Sequence, residues 1–452
     1  MIRFIEWLWQ TFVWMIVQLY TTWGFIMIPL SKIIVLIAVV MMIVAYSSLA
    51  ERKVSAFIQD RIGPNRVGVP LTLLGFKKDL HIGGLTQPMV DGVKFLLKED
   101  FTPAHVNKFY YWLAPMLAVA PALLSIAVVP FGSTLSIAGQ SFKMVIADVN
   151  VGFLYVFAIT SISVYGIVLA GWSANSKYPF FGGIRSSAQM ISYELAMGLS
   201  LVPVLLVIGN LSLGGIVDYQ AHNGWIAVPF SNLSFGRGEE GFWWSGFRPR
   251  EMGLWVPMLI SMTIFTISAF AETNRAPFDL PEAEQELVAG YHTEYSSMKF
   301  ALFFMGEYAA MITACALIAT LFLGGWQVPV PSVHFIDTHN WTVALVTKTG
   351  ADGNWWGIFN IVCFFAKVIG LILFFMFIRW TVPRFRYDQL MKLGWVWLFE
   401  LAHGVLAEIA PLHLPLIVDF HQDRSYQANG RPLIGKDPDN ISPSLDLAVR
   451  SL

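Results

Sequence analysis

The chain has 452 residues, of which 56% are apolar and 13% charged, about half the roughly 25% charge of soluble domains. An ordinary water-soluble core is excluded, and the expected solvent is the bilayer. With 29 Lys and Arg against 30 Asp and Glu the net charge is −1, so no basic field exists to hold nucleic acid. Cys315 and Cys363, the two cysteines, lie in apolar stretches. They cannot supply a disulfide framework, a four-thiolate iron–sulfur cluster or a structural zinc site.

In chain order, residues 4–23 are apolar, yet Glu6, Gln10, Thr11, Gln18, Thr21 and Thr22 gather on one helical face, which predicts an interfacial helix within segment 1–26. Trp7, Trp9 and Trp14 suit the membrane boundary, and a ninth crossing is the alternative. No basic region followed by a short apolar core and small-residue site marks a cleavable signal. Apolar runs of about 20 residues, enough to cross about 30 Å of hydrocarbon, follow near 27–49, 109–130, 151–172, 187–208, 253–271, 300–323, 356–378 and 393–412. The fold expected is all-α: a polytopic eight-helix membrane domain over 27–412, then a polar tail, 413–452. The last span carries Glu400, His403 and Glu408. Charge in lipid is costly, so this helix must pack inward or be shorter than drawn.

Eight spans put segments 50–108, 173–186, 272–299 and 379–392 on one side, and these hold 17 of the 29 Lys and Arg. The opposite connections hold six: Arg3, Lys143, Arg237, Arg248, Arg250 and Lys348. The positive-inside rule then turns the first set toward the cytoplasm, or the matrix of an organelle, with both termini outside. No internal repeat and no symmetrically broken helix pair points to an inverted-repeat transporter.

The first inner loop begins Ala50-Glu51-Arg52-Lys53 and reaches Arg61-Ile62-Gly63-Pro64-Asn65-Arg66. A basic border that snorkels to the interface accounts for its bases but not for Glu51. Leu85, Met89, Val93 and Leu97 then recur at four-residue steps beside Asp91, Lys94, Lys98 and Glu99, the pattern of an amphipathic helix on the membrane surface. The segment from Glu272 to Glu294 holds six acids and one base, Arg275. Pro277 and Pro281 preclude one regular helix there, so it is expected to fold back into the protein. Such crowded carboxylates titrate as a coupled set. Glu194 and Glu307 each lie inside an apolar span, where an ionised carboxylate costs roughly 2.5–3.5 kcal/mol and most simply serves proton exchange with a water-lined path. A structural pairing is the competing reading. The chain has no Gly-x-Gly-x-x-Gly and no phosphate loop, which argues against a nucleotide or flavin site. That only His292 and His403 are suitably placed argues against a bis-His haem as well.

At these residues the chain resembles the H subunit of NADH-quinone oxidoreductase, respiratory complex I, whose mitochondrial counterpart is core subunit one. The matching stretches are Glu51 to Gly68, Gly171 to Tyr178, Gln189 to Glu194, Ala271 to Glu294, Ala301 to Ala309 and Pro383 to Leu390. The N-terminal segment, the loop at 222–250 and the tail fall outside the likeness. The resemblance implies a multi-pass subunit of the bacterial or mitochondrial inner membrane that walls a quinone cavity, with loops 50–108 and 272–299 forming it. It binds no cofactor itself. Quinone, ubiquinone among the candidates, is the substrate, while FMN and iron–sulfur clusters belong to peripheral-arm partners. Glu51, Glu194, Glu272, Glu284, Glu286 and Glu307 are implied as proton-path or coupling residues toward the proton-translocating membrane subunits. Arg52, Arg61, Arg66, Arg275, Phe278 and Asp279 are implied around the quinone. Two other readings stay open: a subunit of an ion-translocating membrane hydrogenase, or a stand-alone carboxylate-lined proton transporter.

Overall fold

The computed structural model describes residues 2–68, 83–137, 140–227, 234–238, 241–245, 249–281, 287–327 and 354–410. Within it run helices α1 (Ile2–Ile58), α2 (Gln87–Leu97), α3 (Lys108–Ser125), α4 (Gly152–Ser173), α5 (Lys177–Ile208), α6 (Leu213–Asn223), α7 (Pro249–Glu272), α8 (Ser297–Phe322) and α9 (Asn354–Thr381). A last helix, α10 (Tyr387–Ala410), includes a π-helical stretch, Leu393–Leu398. Two antiparallel hairpins, β1 (Thr134–Ile137) with β2 (Gln140–Lys143) and β3 (Ser234–Gly238) with β4 (Gly241–Ser245), are the strands among the described residues.

Eight of these helices are long and apolar enough to cross a membrane. Helix is what such sequences must form, because lipid offers backbone N–H and C=O groups no partner outside the chain. The fold is therefore the all-α polytopic arrangement expected. The N-terminal segment is not set apart from the first crossing. Helical backbone runs unbroken through Pro29 into α1, whose 57 residues extend about 86 Å at about 1.5 Å per residue.

α8 occupies the centre, buried almost all round from Met311 to Phe322, with α3, α7, α9, α1 and α6 against it. α3 and α4 approach until a Cβ at Gly166 would come within 2.8 Å of the Ala118 amide nitrogen, so only glycine fits there. The outward faces are apolar: Ile34, Val35 and Met42 of α1 and Val362, Ile369 and Phe377 of α9 are exposed. Because the spans alternate in direction, the ends of α1, α4, α7 and α9 share one side of the bundle with α2 and the segments 273–281 and 287–296. Here it is called the cavity side.

One expectation needs correcting. Glu400, His403 and Glu408 do not pack inward; all three are exposed on α10, whose buried face is Leu398, Ala402, Val405 and Ile409. The apolar side of this helix is needed for the core, and the four-residue steps from Glu400 to Glu408 put both acids opposite it.

Candidate functional site

The site begins where α7 ends. Thr273 donates its hydroxyl to the Phe270 carbonyl at 3.1 Å, and Asn274, at φ 50°, adopts the left-handed turn that commonly stops a helix. The chain then reverses into Arg275, with a cis bond between Ala276 and Pro277 and the Phe278 amide donating to the Arg275 carbonyl at 2.8 Å. Three neighbours hold this reversal. From α5, the Gln189 amide donates to the carbonyls of Ala271 and Phe278, both at 2.8 Å. The segment after α9 supplies Phe385, whose amide donates to the Pro277 carbonyl at 3.1 Å and whose ring stacks on Phe278 at 5.4 Å. From the same segment Arg384 meets Asp279 at 2.6 Å.

So held, Arg275 points toward α1 and α8. Its Nη1 lies 3.0 Å from Glu51 Oε2, and its guanidinium stacks 3.7 Å from the centre of the Tyr308 ring. Glu51 also accepts from the Tyr308 hydroxyl and pairs with Arg379 of α9. One buried carboxylate thus joins two guanidiniums and a phenol. Burial pushes the Arg275 pKa down, but Tyr308, Glu51 and Glu307 more than offset it, so the group stays charged.

Beside this cluster opens a cavity of about 730 Å³ between the last turns of α1, the turn at 61–67, Phe304 and Tyr308 of α8, and Arg379 with Trp380 of α9. That volume suits a small organic molecule. Glu51, Arg52, Arg61 and Arg66 all line it, among apolar groups such as Ile62 and Phe304. Arg52 is held by Asp91 of α2 at 3.0 Å, and the Gln87 amide fixes the other Asp91 oxygen at 2.9 Å. α2 itself presents Met89, Val93, Leu96 and Leu97 outward, as a surface-lying amphipathic helix should.

Arg275, Phe278 and Asp279 do not line the cavity. They are buried behind it, and Arg275 reaches it through Glu51 and Tyr308, which both line it. Of the remaining acids, Glu307 is half-buried and accepts the Tyr291 hydroxyl at 2.7 Å. On the other side of the re-entrant segment, Glu272 lies within the field of Glu194. Glu284 and Glu286 lie outside the described residues. The acids therefore form two groups, Glu51 with Glu307 near Arg275, and Glu194 with Glu272 between α4, α5 and α7.

The residue pattern does not single out three of these partners. Tyr308 stands next to Glu307 and draws no attention as a phenol; Arg379 and Arg384 read as border charges. A further cation, Lys367, is satisfied without an anion. Its ammonium donates to the carbonyls of Leu323, Gly325 and Gln327 at 2.6, 2.9 and 2.6 Å and sits 4.1 Å from the Trp225 ring centre. Among the described residues no group of three His, Cys, Asp or Glu side chains is placed to hold a metal ion.

Residues 31–410 match a family described as NADH dehydrogenase. Three similar relatives are bacterial H subunits of NADH-quinone oxidoreductase. That of Koribacter versatilis, the second of its kind there, is 45% identical over 389 residues, 84% of this chain and 94% of the relative. The first such protein of Cytophaga hutchinsonii is 41% identical, covering 82% and 94%. The first of Geobacter metallireducens is 43% identical, covering 83% and 94%.

Proposed function

The chain belongs to the family of NADH-quinone oxidoreductase H subunits, membrane components of an oxidoreductase complex, and from that premise we propose that its cavity receives the quinone and that its acids couple quinone reduction to proton translocation. What carries the reading is the cavity's composition. An elongated amphipathic substrate needs apolar wall for its tail and polar groups for its head; Ile62 and Phe304 supply the first, and Arg52, Arg61, Arg66 and Glu51 the second. The electrons arrive from iron–sulfur clusters in a peripheral-arm partner whose chain begins at FMN. This chain supplies the walls and the protonic groups. In that arrangement the cavity side faces the cytoplasm and both termini the periplasm, because the basic residues concentrate on the cavity side.

Reducing a quinone by two electrons requires two protons. Glu51, in the wall and hydrogen-bonded to Tyr308, stands nearest the cavity. Charge gained by the quinone alters the field at Glu51, and Arg275 relays the change to Glu307, whose charge it also feels. Glu194 and Glu272, with Glu284 and Glu286 in the adjoining segment, extend the path toward the proton-translocating membrane subunits. The hydrogenase reading differs by needing no quinone, and the stand-alone transporter by needing no partners.

The test fills the cavity. Val67, half-buried at its edge, replaced by Trp removes volume without touching the ion cluster. In the assembled complex, Val67→Trp should depress quinone reductase activity while NADH oxidation by a water-soluble acceptor persists. Unchanged quinone kinetics in assembled Val67→Trp would place the quinone elsewhere.

A further inference from the structure

Charge exposed inside a membrane span is the least explained feature of the bundle. Within the spans, Glu51 is buried and Glu194, Glu272 and Glu307 are half-buried, yet Glu400 and Glu408 of α10 are exposed, with the His403 imidazole between them. An outward carboxylate in hydrocarbon costs roughly 2.5–3.5 kcal/mol even on mild scales, so lipid is a poor covering for this face. The same face is built for close approach. Gly404 lies midway between the two acids, and a Cβ there would meet nothing within 4 Å; Ala407 beside it is also exposed. A groove of about 480 Å³ runs along it between Ile260 of α7 and the α10 side chains Trp397, Glu400, Leu401 and Glu408. Small residues flanked by polar ones are how helices associate in lipid, where apolar contact alone gives no preference. The one lysine or arginine of α10, Lys392, precedes Glu400 by eight residues, about 12 Å of helix, too far to pair with either acid, so the counter-charge must come from outside α10.

We propose that this face of α10 is the docking surface for a transmembrane helix of another membrane protein of the complex, one that brings a lysine or arginine into its span opposite Glu400 and Glu408. The proposal rests on the chain working within a multi-subunit complex, as the relatives' naming as subunits suggests. Gly404 and Ala407 let the two backbones approach, the groove beside Ile260 receives the partner's apolar side chains, and the two acids, two helical turns apart, fix its register.

The experiment places a photo-crosslinking amino acid at Leu401, 46% exposed, in the full complex in native membranes, with adducts identified by peptide mass spectrometry. The expected adduct is an apolar helix of a second polytopic subunit carrying a basic residue. In parallel, Glu400→Leu should lower the yield of assembled complex per copy of this chain by about tenfold, the factor for losing about 1.4 kcal/mol, and Glu400→Lys by more. If the face met lipid, the sign would reverse for Glu400→Leu, which would leave assembly unchanged or raised. Adducts only to phospholipid, to a second copy, or to residues 411–452 of this chain would overturn the docking surface while leaving the quinone reading intact. Failure of the tagged chain to co-purify with any NADH-quinone oxidoreductase component would instead overturn that reading, and this one with it.

Discussion

The Glu51 cluster makes an asymmetric prediction. Arg275 is 4% exposed, and its Nε and Nη2 have no hydrogen-bond partner among the described residues, where Glu51 is the anion that compensates it directly. Glu51, by contrast, has Arg379 and Tyr308 as well. Removing one member of a buried pair costs about 3–5 kcal/mol when it strands the other charge. Glu51→Gln strands Arg275 and should cost that much. Arg275→Met leaves Glu51 with a guanidinium and a phenol, and should cost about 1–3 kcal/mol, the range for one lost charged hydrogen bond and its desolvation. The double variant removes the stranded charge and should be more stable than Glu51→Gln alone, a coupling that a double-mutant cycle isolates. For a membrane complex that unfolds irreversibly, the readout is the inactivation half-life of the purified assembly at fixed temperature, which shortens about tenfold per 1.4 kcal/mol when the interaction is lost in the rate-limiting step. Equal losses from the two single variants, adding in the double, would refute the direct pairing.

Three more tests concern other parts of the site. Glu194→Gln and Glu307→Gln keep size and hydrogen bonding but cannot titrate, so assembly should be normal and proton pumping mostly lost; full pumping in both would make them satisfied polar groups only. A cysteine at Lys98, exposed on the cavity side, should resist an impermeant thiol reagent in intact cells and react in inverted vesicles, and one at Asn150, exposed at the opposite end, should do the reverse; the swapped pattern inverts the topology. Lys367→Met should leave three carbonyls short of a donor and shorten the inactivation half-life about tenfold or more, since stranded buried acceptors cost about 1–3 kcal/mol, with quinone KM unchanged because Lys367 does not line the cavity.

The sequence carries the spans because twenty apolar residues in a row have one stable outcome in lipid. It carries Glu194 and Glu307 because an acid amid such a run violates the pattern around it, and Glu51 because a basic border accounts for its neighbours but not for an acid. What it does not carry is which partner each acid meets. Arg379 lies 328 positions along the chain from Glu51, and only the packing of α9 beside α1, six spans later and running the same way, brings them together. Nor does it say which way the face of a marginal span turns. The expectation that α10 packs its acids inward or is shorter than drawn assumes that this chain alone must satisfy them, whereas the packing of Leu398, Ala402, Val405 and Ile409 against the core decides the rotation.

The anchoring of the re-entrant segment bears on how charge and motion share the coupling. Gln189 from α5, and Phe385 and Arg384 from the segment between α9 and α10, grip Thr273 to Pro281, and the Phe278 ring is clasped between Tyr193 at 5.5 Å and Phe385 at 5.4 Å. Moving Arg275 by more than about an ångström would break several of these contacts together, at about 0.5–1.5 kcal/mol for each neutral hydrogen bond and more for the Arg384–Asp279 pair. Shifting a proton among Glu51, Tyr308 and Glu307 requires none of that. On the proposed reading, therefore, a charge change in the cavity acts first on protonation around a fixed guanidinium. Any larger rearrangement has to start in a less tightly gripped element, such as the turn at 61–67, where Arg61 and Arg66 are exposed at the cavity wall.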